Sequence, residues 1–131
     1  MSNDQFRTYG MLLLNTGDCY GYSAAFVSLT RAIGLDSYMV YGLQVNNNGK
    51  KNNHAWCEIN VNGVTYIFDP DIDEHISKGC TNPNYRFCLE ASSMSGKYQP
   101  YPIEDAASYT EYIKENPFSK NMPNALMTMM Y

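Results

Sequence analysis

Residues 54–69 read HAWCEINVNGVTYIFD, two apolar-rich runs joined by Asn62-Gly63. An Asn-Gly pair between such runs is the strongest short-range hairpin signal, because both residues accept the positive φ of a tight primed turn. Pairing follows by counting outward from that turn. Val61 faces Val64, Ile59 faces Tyr66, Cys57 faces Phe68 and Ala55 faces Pro70. Side chains alternate along a strand, so these residues share one apolar face, expected to be core. The other face carries His54, Trp56, Glu58, Asn60, Thr65, Ile67 and Asp69. Trp56 falls opposite Asp69, which makes His54 its diagonal neighbour at ~7–8 Å, within reach of long side chains. A one-residue slip of register would separate them.

Upstream, Gly17–Gly34 reads GDCYGYSAAFVSLTRAIG. Asp18 suits an N-cap, because its carboxylate can accept from the free N–H groups of a first turn. The helix is expected from about Cys19 to Ile33, with Ala24, Val27 and Ala32 on its buried side. Gly34 suits the position after the last turn, where a left-handed conformation costs glycine little. Tyr38–Val45 reads as a strand, and residues 46–53, NNNGKKNN, as a polar loop. Before Cys19, the apolar TYGMLLLN (8–15) reads as a helix end packing on the core. Beyond Pro70, NYRFCLEA (84–91) suggests a further strand and YQPYP (98–102) a turn or extended segment. Ile103–Glu115 suggests a short amphipathic helix that stops at Asn116-Pro117.

A thiol held at a helix start, with a histidine and an aspartate on one hairpin face, suggests nucleophilic catalysis. The thiolate is the nucleophile, and a helix N-terminus or an adjacent imidazolium favours it. Cys19 would attack, and His54 would act as general base and then general acid. Asp69 would hold the imidazole in the right tautomer. Backbone N–H groups at the helix start, that of Cys19 included, would bind a developing oxyanion. Tyr9 and Tyr20 are further candidate donors. Trp56 is a packing lid beside the site or, less in keeping with its setting, a substrate platform. His75 reads as surface.

Size and charge narrow the rest. The chain has 131 residues, enough for one domain that buries roughly two-thirds of its unfolded surface. A net charge of −4 with no basic stripe argues against nucleic acid. No apolar run reaches the ~18 residues of a membrane span. The four cysteines form no CxxC pair, so a zinc knuckle is not expected. Cys80 and Cys88 flank a Pro/Asn turn as one disulfide or as two thiols. DPDIDE (69–74) has alternating oxygens but lacks the Gly and Glu of a calcium loop, so it reads as a solvated acidic turn. No metal or cofactor is expected. The opening MSNDQFRTYG has no basic n-region or apolar h-region. Either the chain is cytosolic or it is a piece of a longer protein.

GDCYGYSAAFVSLTRAIGLDSYMVYG (17–42), followed by NHAWCEINVNGVTYIFDPD (53–71), resembles the transglutaminase-like superfamily. The resemblance runs from Thr8 to Asp73. It rests on a Cys within G-x-C-x-G-Y at a helix start, a His in H-A-W on a strand, and an Asp-Pro closing the next strand. DCYGY is also similar to the DCSG of one family of cell-wall peptidases, which does not share the H-A-W strand with its Asp-Pro. The resemblance implies an α+β, papain-like core, its Cys-bearing helix packed on an antiparallel sheet that carries His and Asp. It implies a Cys-His-Asp triad on Cys19, His54 and Asp69. Family members include protein cross-linkers, peptidases, peptide N-glycanases and amidases, and many bacterial copies are domains of exported proteins. The expected substrate is therefore a protein or peptide, cell-wall peptide included. The expected location of the full-length protein is the cell surface or outside the cell. From another class comes a binding module for peptides or glycans that keeps the fold without turnover.

Overall fold

Two helices lead into the sheet, α1 over Asn3–Leu13 and α2 over Cys19–Ala32. The computed structural model describes residues 2–13, 19–45, 48–70, 89–94 and 96–123. The expected Asp18 cap, the Cys80 and Cys88 pair, His75, residues 71–74 and the chain after Pro123 lie outside them. α2 closes as the sequence suggests. Gly34 takes φ 91°, its N–H reaches Arg31 O at 3.0 Å, and the Leu35 N–H reaches Thr30 O at 3.0 Å. This pair of bonds satisfies carbonyls that the last turn leaves free.

The strands are β1 Asp36–Val45, β2 Lys51–Val61, β3 Val64–Phe68, β4 Leu89–Glu90 and β5 Tyr98–Pro100. A 3₁₀ turn, Ala91–Met94, precedes β5, and α3 spans Ala106–Glu115. The sheet order is β4-β3-β2-β1-β5, with every neighbouring pair antiparallel. Asn62 and Gly63 take φ 51° and 81°, as a primed turn requires. The counted register holds from Val61↔Val64 to Cys57↔Phe68. It ends there, so Ala55 and Pro70 do not pair. Proline has no N–H to give a ladder, and Asp69 leaves the strand just before it.

Two segments, 51–53 and the start of α3, differ from the sequence reading, and 98–100 take its extended option rather than a turn. Lys51–Asn53 belong to β2 rather than to a loop, because β1 is long enough to pair them with Leu43, Gln44 and Val45. Residues 98–100 form a strand on the open edge of β1. α3 starts three residues late because Asp105 caps it, its Oδ1 accepting from Ala107 N at 3.0 Å and Ser108 N at 3.3 Å.

Both faces of the sheet are covered, not one. Cys19, Tyr20, Ala24 and Val27 of α2 pack with Met39, Tyr41, Ala55 and Cys57. On the opposite face Val40, Trp56, Ile67 and Tyr98 form a second cluster, flanked by Ala91 and Met94. The period-2 alternation placed Trp56 and Ile67 together; it carried no sign that β5 and the 3₁₀ turn would cover them. α1 is a helix next to the core, yet Leu12 and Leu13 are exposed. Its anchor is polar. Buried Asp4 accepts from Phe118 N–H at 2.7 Å, and Phe118 O accepts from Met39 N–H of β1 at 2.8 Å. Burial raises the Asp4 carboxyl above its ordinary value.

Candidate active site

His54 sits on β2 and Asp69 immediately follows β3. The hairpin brings their side chains into contact. His54 Nε2 is 2.9 Å from both Asp69 Oδ1 and Oδ2. Cys19 opens α2, and its side chain shares a hydrogen bond with His54. Since Asp69 holds Nε2, the ring's Nδ1 is the nitrogen left for the thiol. Cys19 also belongs to the core cluster of Ala55 and Cys57.

The three side chains have little water around them. Cys19 is 4 % exposed, His54 9 % and Asp69 4 %. Burial alone pushes the imidazole toward its neutral form. Hydrogen bonds with Asp69 and Cys19, and the Coulombic influence of those two groups, outweigh it and raise His54 to about 10. The imidazolium is therefore the form that this environment stabilises near neutral pH.

Trp56 is fully buried and lies beneath the histidine, its ring 6.5 Å away and inclined by 29°. Its Nε1 donates to Glu58 Oε2 at 3.2 Å, and Glu58 Oε1 accepts from Lys120 Nζ at 3.1 Å. With no exposed surface, Trp56 is packing under the imidazole rather than a platform for substrate. Tyr20 is also core: its ring packs 5.4 Å from that of Tyr41, under the Arg7 guanidinium. Tyr9 is exposed on α1. Cys57 is buried in the core and its thiol donates to Ser23 O at 3.4 Å.

One residue of the site had no signal in the sequence. Tyr98 of β5 donates its hydroxyl to Asp69 Oδ2 at 2.8 Å and sets its ring edge-on to Trp56, 5.0 Å away. The stretch YQPYP carries turn chemistry, and no spacing rule links residue 98 to residue 69. Among the described residues, no group of three or more His, Cys, Asp or Glu side chains is placed to hold a metal ion. Nor is any helix among them long and apolar enough to cross a membrane.

A family model for the transglutaminase-like superfamily matches residues 3–70, just over half of the chain, and takes in Cys19, His54 and Asp69. The chain belongs to the transglutaminase-like superfamily. No curated protein matches it. The α+β architecture of this transglutaminase-like domain, a Cys-bearing helix against an antiparallel sheet, is the one expected for that family. The superfamily includes cysteine peptidases and transglutaminases.

Proposed function

We propose that this domain is a thiol-dependent enzyme that hydrolyses amide bonds, or transfers their acyl group, in a protein or peptide substrate. Cys19, His54 and Asp69 are its triad. The observation that carries the reading is the imidazole of His54 held between the Asp69 carboxylate, at 2.9 Å, and the Cys19 thiol. In the first half-reaction Cys19 Sγ attacks the amide carbonyl carbon and His54 holds the thiol proton. Backbone N–H groups at the start of α2 take the oxyanion. The C–N bond then breaks, the amine or ammonia leaves with the proton from His54, and a thioester remains. In the second, water or an amine attacks the thioester while His54 takes its proton, and Sγ leaves. Asp69 orients the imidazole and supports its positive charge throughout. Cell-wall peptides belong to the substrate class, with the full-length protein at the cell surface.

The burial of all three side chains favours a second reading, a peptide- or glycan-binding module without turnover. Acylation separates the two. Incubated with p-nitrophenyl acetate, the protein is expected to gain an acetyl group that peptide mapping places on Cys19. The Cys19→Ala variant is expected to lose that label and the accompanying burst of nitrophenolate. Labelling confined to other cysteines, or equal in the variant, would sink the enzymatic reading.

A further inference from the structure

The side chains of His54, Gly42, Pro100 and Tyr98 share one face of the sheet, fixed by the pairs Gly42↔His54, Gly42↔Pro100 and Gln44↔Tyr98. The middle position of that row has no side chain. A Cβ at Gly42 would lie 2.6 Å from a ring carbon of Trp56 and 2.8 Å from Pro100 Cα. Its absence lets aromatic groups from β2 and β5 meet across β1. Trp56 fills the space from one side and Tyr98 from the other, edge to face. Held this way, the phenol delivers its hydroxyl to Asp69 Oδ2 at 2.8 Å. Asp69 is buried, and both its oxygens also face His54 Nε2. A carboxylate with two equivalent contacts to one N–H can rotate in its plane without losing either outright. A second donor on one oxygen fixes that rotation.

We propose that Tyr98 is a positioning residue of this site: its hydroxyl fixes the Asp69 carboxylate that in turn holds the His54 imidazole. The proposal rests on the triad reading above, and it adds β5 to the elements that build the site. Removing the hydroxyl takes one donor from Asp69 Oδ2, which keeps its contact with His54 Nε2, and loosens the orientation of the carboxylate. The imidazolium then loses part of its partner, so its titration moves down.

The test is Tyr98→Phe, which keeps the ring against Trp56. NMR titration of the His54 ring protons is expected to place its pKa about one unit below the wild-type value. Acetylation of Cys19 is expected to slow about tenfold. Tyr112→Phe supplies the control, because it removes a hydroxyl bonded to Tyr41 at 2.8 Å, outside this site. Both variants are expected to melt within about 5 °C of wild type. Only Tyr98→Phe is expected to move His54. An unchanged or raised His54 titration in Tyr98→Phe, or an equal shift in Tyr112→Phe, overturns the proposal. The titration needs no turnover. Cys19 acetylation with an unmoved His54 defeats the Tyr98 role alone, whereas a moved His54 without any acetylation of Cys19 defeats the triad reading.

Discussion

Replacing Asp69 with Asn is expected to slow acylation of Cys19 by about 10⁴, the scale seen when the carboxylate of a Ser-His-Asp triad becomes an amide. Two losses combine. The amide can present its NH₂ to the imidazole, which favours the wrong tautomer, and it carries no charge to support the imidazolium. The same change acts on stability, and its sign follows from the direction of the shift. His54 is raised from an ordinary 6.5 to about 10 in the folded protein. Its contribution is complete below about pH 6.5 and is lost as pH rises through about 10. Wild type is therefore expected to lose stability between those values in denaturant titrations. The Asp69→Asn protein, deprived of the main source of the shift, is expected to show a shallower fall over the same window. Parallel pH profiles for the two proteins would contradict the role given to Asp69.

Gly42→Ala carries the largest expected structural cost. The new methyl group would meet the Gln99 carbonyl oxygen, the Trp56 ring at 2.6 Å and Pro100 Cα at 2.8 Å. Two of those are backbone, and Trp56 is fully buried, so no flexible side-chain end is available to give way. Overpacking of well-filled sites costs ~1–3 kcal/mol and more where backbone must move. About 3 kcal/mol is expected here, a fall of about 10 °C in melting temperature for a chain of this length. The relief route is separation of β5 from β1, which also withdraws Tyr98 from Asp69. Gly96→Ala is the matched control, since nothing lies within 4 Å of its Cβ and its backbone is ordinary. Melting of Gly42→Ala within about 2 °C of that control would show that β5 is not held in this close contact.

What the sequence makes legible here is local. The Asn62-Gly63 turn dictates a register, and the register alone sets His54 and Asp69 on one face. Gly34 marks the end of α2 through a single left-handed residue. Cys19 stands out because its helix start can be read from the residues around it. The parts that escape are non-local. Tyr98 reaches Asp69 across two intervening strands, β1 and β2, and the Trp56–Glu58–Lys120 chain joins β2 to a segment 62 residues further on. No period or turn signal encodes such contacts. Alternation likewise distinguishes the two faces of β2 but not how deeply each is covered. That is why Trp56 reads as a lid over the site, while in the fold it lies wholly beneath the imidazole. The leucines of α1 mislead for a related reason: their apolarity suggests burial, but Leu12 and Leu13 are exposed, and the helix meets the core through Arg7 over Tyr20 and through buried Asp4.

The pH dependence of Cys19 alkylation by iodoacetamide tests most directly whether Cys19 works with His54 as a charged pair. Burial of the thiol lowers every rate by a common factor, so the shape of the profile decides rather than its height. The wild-type profile is predicted to extend to lower pH than that of His54→Ala, because an adjacent imidazolium favours the thiolate. A wild-type profile that superimposes on that of His54→Ala would contradict the account.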